Sequence, residues 1–86
     1  MRMQTLSFSD EVRLARRDGV GLVALESTLI SHGLPYPDNV TVANAAEAAV
    51  RANGGIPATI AVMDGVVKIG LETAEVERLA MRSEER

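Results

Sequence analysis

The chain has 86 residues, a net charge of −3 at pH 7, 47% hydrophobic residues and no cysteine. It is long enough for one small globular domain, which buries only about 60 to 65% of the surface that its unfolded form exposes. The composition excludes disulfides and thiolate metal sites, and it lacks both a basic cluster for nucleic acid and the roughly 20 apolar residues of a membrane span. Because the N-terminus has no apolar signal-peptide core, we expect a cytoplasmic protein without nucleic-acid or membrane partners.

The first predicted element is a short helix that either Ser7 or Ser9 can cap. Acidic residues begin this segment and basic residues end it, which is the distribution that the helix dipole favours. Gly19 is expected to end the helix. The helical spacing of Val12 and Ala15 directs both side chains toward the core.

A buried strand and a second helix come next. The run VGLVAL at residues 20–25 is apolar without interruption, which predicts a central strand covered on both faces. Asp38 or Asn39 is expected to cap a helix over about residues 40–53, which Gly54 ends. Its predicted inward face consists of residues at helical spacing: Val42, Ala45, Ala46, Ala49 and Val50.

The second half of the chain predicts a hairpin followed by a helix. Residues 57–63 are a second apolar run, which predicts a second buried strand. The pair Asp64-Gly65 after it is a strong signal for a two-residue hairpin turn. The sequence VVKI is then the return strand, and a final helix is expected to begin near Thr73.

Strand, helix and strand within about 40 residues form a βαβ unit, in which the two strands are parallel and the crossover is right-handed. The predicted class is therefore α/β: a βαβ unit plus a hairpin, forming one flank of a three-layer α/β/α fold with a largely parallel or mixed sheet. In such sheets, ligands bind beyond the carboxyl ends of the strands, where loops separate and helix N-termini point their amides at the gap.

Glu26 follows the first buried strand and is the candidate catalytic residue. From position alone it is a catalytic carboxylate, a solvated residue or a cap for nearby amides. Ser27 and Thr28 are interpreted as turn hydroxyls that satisfy backbone groups, and His32 as a hydrogen-bonded loop residue, so that their roles in function stay open.

Four motifs give the chain a specific resemblance. ALEST, HGLPYP, PATIAV and DG occur in this order between Leu6 and Arg82. With this spacing, the chain resembles the pseudouridine-5'-phosphate glycosidase family, also called the indigoidine-synthase-A-like family. The resemblance implies reversible cleavage of pseudouridine 5'-phosphate to uracil and ribose 5-phosphate, as part of pseudouridine degradation. It also implies a divalent metal cofactor, typically manganese, and a homo-oligomer, a trimer in the family.

The resemblance assigns chemistry to Glu26. Uracil is joined to the sugar through carbon and leaves poorly, so that protonating a glycosidic heteroatom is not enough. In the family the ribose ring opens and a lysine forms a Schiff base with the sugar, which accepts the electrons of the broken bond. The family's motif glutamate, matching Glu26, is the proton donor and acceptor, a role that suits a partly desolvated strand end.

The family's other functional residues lie later in a much longer chain. These are the Schiff-base lysine, the metal-binding aspartate and a phosphate-contacting lysine, so that no metal ligand is expected within this chain. Lys68 is interpreted as a solvent-facing lysine on an edge strand and Asp64 as a turn residue. We therefore expect residues 1–86 to be the N-terminal part of a single glycosidase domain, inactive alone. The alternative is a truncated remnant or an association module without catalysis.

Overall fold

A computed structural model describes residues 5–83, in which three α-helices, a π-helix and four strands are present. In chain order the elements are β1 (Thr5–Phe8), α1 (Asp10–Asp18), β2 (Leu22–Glu26), the π-helix (Leu29–Gly33), α2 (Asp38–Ala52), β3 (Ile56–Met63), β4 (Val66–Ile69) and α3 (Thr73–Ser83). None of the helices described between residues 5 and 83 is long and apolar enough to cross a membrane.

The four strands form one mixed sheet in the order β1-β4-β3-β2. The pairs β2 with β3 and β1 with β4 are parallel, and β3 with β4 is antiparallel. The predicted βαβ unit, formed by β2, α2 and β3, is therefore confirmed, and so is the mixed α/β class. The predicted hairpin is also confirmed, because Asp64 and Gly65 have φ angles of 54° and 77°, both positive as a type I′ turn requires.

Helices cover both faces of β3, because neighbouring strand residues point in opposite directions. The buried Thr59 donates a hydrogen bond to Glu47 of α2, which identifies one face. The adjacent Ala58 is also buried and points to the other face, where α1 contacts the strand. The main core lies on the α2 side and unites the π-helix, α2, β3 and α3 through Ile30, Val40, Ala61, Met63, Val76, Leu79 and Ala80.

The prediction that the first apolar run is a central strand is wrong for the described chain. The strand spans Leu22–Glu26 rather than residues 20–25 and lies at the end of the sheet, paired only with β3. Leu22 and Val23 are 36% and 42% exposed. An uninterrupted apolar run indicates that a strand is suited to burial, but it does not supply the neighbours that would cover it.

The prediction that Lys68 lies on an exposed edge is also wrong. A strand that the sequence did not predict, β1, pairs with β4 and places it inside the sheet. The side chain of Lys68 is only 26% exposed, and its Nζ lies 2.6 Å from Oε2 of Glu75 on α3. Lys68 and its two strand neighbours point to opposite faces of the sheet, as strand alternation requires. The face to which Lys68 points is covered by α3.

The predictions for α1 and α2 differ in accuracy. In α1, Oγ of Ser9 accepts from the backbone N–H of Val12 at 3.2 Å, and both predicted core residues, Val12 and Ala15, are buried. In α2 the predicted cap is wrong, because the helix begins at Asp38 without a side-chain cap and Asn39 is buried. Most of the predicted inward face is exposed, and the contacts with the core come from Val40 and Ala43 instead.

Candidate active site

Glu26 is the last residue of β2, where it lies level with Ile60 of β3. The sequence analysis predicted this position at the carboxyl end of the strand. The expectation of a partly desolvated carboxylate is not met, because Glu26 is exposed in the described chain. The sheet around it carries no further strand that would exclude water from this edge among residues 5–83.

A small, largely apolar depression of about 50 Å³ opens beside Glu26. Its walls come from β2, the π-helix, α2 and β3, and consist of Leu25, Glu26, Ile30, Val42, Ala43, Ala46 and Thr59. Thr59 contributes a buried hydroxyl, whose Oγ1 donates to Oε2 of Glu47 at 2.7 Å. The depression therefore has an apolar wall with the Glu26 carboxylate at its rim.

The chain turns into the π-helix directly after Glu26. The carbonyl of Ser27 accepts from the backbone N–H groups of Ile30 and Ser31 at 3.0 and 3.2 Å, and Oγ of Ser31 lies 3.3 Å from the same oxygen. The Thr28 side chain does not cap the π-helix. His32 belongs to this helix, but its side chain lies outside the described residues, so the hydrogen bond predicted for it stays a prediction.

Asn39 holds this turn against the rest of the core. It is fully buried, and its Nδ2 donates to the carbonyl of Ile30 at 2.9 Å and to that of Ala80 in α3 at 3.2 Å. Its Oδ1 accepts from the backbone N–H of Val40 at 2.9 Å. The sequence analysis missed this residue, because it was interpreted as a helix cap.

The segment HGLPYP connects the π-helix to α2 and reaches α3. The Tyr36–Pro37 peptide bond is cis, and the carbonyl of Pro35 accepts from the Asn39 N–H at 3.0 Å. The hydroxyl of Tyr36 lies 3.2 Å from Oε1 of Glu77, and this hydrogen bond to a carboxylate, with its negative charge, raises the pKa of Tyr36 above its ordinary value. These contacts attach the segment to α2 and α3.

The described residues do not fit a manganese site. Among the side chains that the structure describes, which do not include that of His32, no three carboxylates converge, whereas manganese prefers several oxygen ligands at one point. Asp64, in the hairpin turn, forms an ion pair with Arg78 of α3. We therefore derive no catalytic step through a metal from this chain.

Comparison with known proteins places the sequence in a defined group. Residues 11–86 match the family described as indigoidine synthase A like protein. The chain is 52% identical over 79 residues to pseudouridine-5'-phosphate glycosidase 1 of Rhizobium johnstonii, and 60% identical over 75 residues to the pseudouridine-5'-phosphate glycosidase of Jannaschia sp.. These alignments cover 92% and 87% of this chain but only 25% of each relative.

Two solved structures share the fold. An indigoidine synthase A-like protein from Thermotoga maritima superposes with a TM-score of 0.74 at 22% identity, over 95% of this chain and 26% of that protein. The prealnumycin C-glycosynthase, solved in complex with ribulose 5-phosphate, gives a TM-score of 0.70 at 35% identity, over 92% of this chain and 25% of its own. The chain thus spans about a quarter of the proteins that it resembles.

Proposed function

This chain belongs to the indigoidine synthase A-like family, and we propose that it supplies the catalytic glutamate of a pseudouridine-5'-phosphate glycosidase. The proposed reaction cleaves the bond between the sugar and a base carbon, consumes water and gives uracil and ribose 5-phosphate. The observation that carries the proposal is the position of Glu26 at the carboxyl end of β2, on the rim of an apolar depression. Relatives named for this activity are 52% and 60% identical to this chain.

The chemistry requires a proton to be delivered to the base carbon when the carbon–carbon bond breaks. A carboxyl group at the end of a strand can give this proton and take it back in the reverse reaction. In the proposed mechanism Glu26 has this role, and a lysine outside this chain accepts the sugar as a Schiff base that withdraws the electrons of the broken bond. The exposure of Glu26 in the described chain implies that other parts of the enzyme must exclude water around it.

Further properties belong to the same proposal. We expect the whole enzyme to use manganese held by residues outside positions 5–83, to act on a small sugar phosphate, to form a homo-oligomer such as a trimer, and to work in the cytoplasm. These expectations concern the whole enzyme and assign no function to residues of this chain other than Glu26.

A hybrid enzyme tests the proposal. Residues 11–86 would replace the matching segment of the Jannaschia glycosidase, and uracil release from pseudouridine 5'-phosphate would be followed with manganese present. We expect turnover within about tenfold of the parent, because core substitutions that keep volume and pattern are tolerated. A folded hybrid without turnover would count against the assignment.

The alternative is an association module without catalysis. The observation in its favour is the exposed apolar edge of β2, where Leu22 and Val23 meet solvent, since an uncovered strand of this kind readily pairs with another chain. Under this alternative the hybrid would be inactive, whereas the 86-residue chain would form a defined complex.

A further inference from the structure

We infer that Asn39 is the positioning residue of the candidate site, holding the backbone that follows Glu26 in one place. The inference rests on the proposed function for the role of Glu26, whereas the contacts of Asn39 stand independently of that function. Asn39 touches neither the depression nor any reacting group, so its effect is transmitted through the π-helix.

The side chain of Asn39 joins three elements at one buried point. Its amide group donates to the carbonyl of Ile30 at 2.9 Å and to that of Ala80 at 3.2 Å, and its oxygen accepts from the Val40 N–H at 2.9 Å. The π-helix, α2 and α3 are therefore linked through one residue that is fully buried. Losing such hydrogen bonds within a core raises the free energy of the folded state, because buried polar groups without partners are destabilising.

A short series of contacts leads from Asn39 to Glu26. Asn39 fixes the carbonyl of Ile30, whose side chain is 3% exposed and packs in the main core. The N–H of Ile30 in turn donates to the carbonyl of Ser27 at 3.0 Å. Ser27 directly follows Glu26, so the last peptide unit of the strand is held at both ends: by the ladder with β3 and by the turn that Asn39 secures.

Asparagine is the side chain that this point requires. The Nδ2 group donates to two carbonyl oxygens and Oδ1 accepts from one N–H, which is the set of bonds that a single carboxamide can make. Aspartate has the same shape and keeps the acceptor, but it would place a carboxylate oxygen against the carbonyls of Ile30 and Ala80. Asn39→Asp therefore removes the donors while leaving volume and packing almost unchanged.

Hydrogen exchange on the 86-residue chain tests the positioning. We expect Asn39→Asp to accelerate exchange of the Ile30 and Ser31 amides roughly tenfold more than exchange of the β3 amides, because the loss of a buried hydrogen bond is local. The control is Val76→Ala, which removes buried methyl groups from the same core and leaves the Asn39 contacts intact. If Asn39→Asp fails to fold, as judged by circular dichroism, Asn39→Ser, which keeps one donor, replaces it. Uniform acceleration, equal to that of Val76→Ala, would overturn the inference.

Kinetics in the hybrid enzyme connect the positioning to catalysis. Asn39→Asp is expected to lower kcat by roughly tenfold to a hundredfold with little change in KM, because misplacing a proton donor by about 1 Å has effects of this size. Val76→Ala should leave kcat nearly unchanged. An unaltered kcat in Asn39→Asp would contradict the inference, whereas an inactive unsubstituted hybrid would contradict the proposed function, and hydrogen exchange would still decide whether Asn39 fixes the turn.

Discussion

Lys68 on β4 and Glu75 on α3 form an ion pair, with 2.6 Å between Nζ and Oε2 and with side chains only 26% and 22% exposed. The other oxygen of the same carboxylate, Oε1, accepts from the backbone N–H of Glu72 at 2.9 Å. Glu75 therefore stabilises the N-terminus of α3 and attaches it to the sheet at the same time.

Replacing Lys68 by methionine should lower the free energy of unfolding by about 1 kcal/mol, because Glu75 loses a half-buried partner but keeps its bond to the Glu72 N–H. Urea denaturation measures this change. In the hybrid enzyme the same variant should keep turnover within a few-fold of the parent. A loss of turnover much larger than the loss of stability would show that Lys68 takes part in the reaction.

The ion pair also predicts a pH dependence of stability. Partial burial would raise the pKa of Glu75, but the hydrogen bonds from Lys68 and from the Glu72 N–H, with the charges of Lys68 and Arg78, hold it below the ordinary value of 4.5. A carboxyl group whose folded pKa is depressed contributes stability above its unfolded pKa, and this contribution is lost as pH falls through the folded pKa. Glu75→Gln should therefore be less stable than the parent at neutral pH, and the difference should shrink below about pH 4.5.

Glu11 provides the control for this measurement. Its pKa is also lowered, chiefly by the hydrogen bond from Arg51, but both side chains of that pair are nearly half exposed. We expect Glu11→Gln to show a smaller effect that added salt removes, since exposed ion pairs are weak and screened. Equal, salt-insensitive effects in the two variants would contradict the special role of Glu75.

Glu26→Gln in the hybrid enzyme should leave the thermal midpoint nearly unchanged, because Glu26 is exposed and at the end of its strand. Uracil release should fall by roughly two to four orders of magnitude, as expected when a general acid or base is lost. Glu47→Gln, which changes a carboxylate bound to Thr59 in the wall of the depression, is the matched control. If Glu26→Gln turns over within a few-fold of the parent, Glu26 has no catalytic role.

The 86-residue chain alone should neither release uracil from pseudouridine 5'-phosphate nor trap a sugar adduct. Its one lysine, Lys68, is engaged in an ion pair with Glu75, whereas a Schiff base needs an amine that is free to attack a carbonyl. Incubation with substrate, manganese and borohydride, followed by mass spectrometry, measures both outcomes. Stoichiometric adduct on Lys68 would identify this chain as a minimal enzyme.

Gly70→Ala should destabilise the chain more than Gly65→Ala. Both positions have positive φ, 91° and 77°, which costs a residue with a Cβ roughly 1 to 2 kcal/mol. At Gly65 an added Cβ meets open space, whereas at Gly70 it would lie 2.4 Å from Oγ of Ser9 and 2.7 Å from Cγ2 of Val12. Overpacking should add roughly 1 to 3 kcal/mol at Gly70 alone. Equal midpoints of denaturation would mean that α1 moves away freely.

The features that depend on residues close together in the chain were predicted correctly from the sequence. The Ser9 cap, the Asp64-Gly65 turn and the position of Glu26 at the carboxyl end of β2 each depend on a few neighbouring residues, and all three are present. The errors involve partners distant in the chain. The strand β1 has only four residues and pairs with β4, which is distant in the sequence. The residues next to Lys68 therefore contain no signal that its strand is internal.

The buried asparagine illustrates the same limit at the candidate site. A residue such as Asn39 just before a helical pattern is usually a cap, because its side chain can bond to nearby amides. Its actual partners include Ala80, far along the chain. Only the packing of α3 against the π-helix brings that carbonyl within reach, and no periodicity in the sequence encodes this contact.

The pairing of β1 with β4 bears on the order in which the chain folds. Thr5 lies opposite Val66, whereas β2 pairs with β3 and β3 pairs with β4 across shorter connections. Closing a long loop has an entropic cost that short connections avoid, so the βαβ unit and hairpin are expected to form before β1 joins them. Until then, β4 is itself an open edge, and a nascent or partly unfolded chain offers a pairing surface on each side of a three-stranded sheet. Once Thr5–Phe8 pairs with β4, the hydrogen-bonding groups of β4 on that side are satisfied within the chain and are no longer open to another strand.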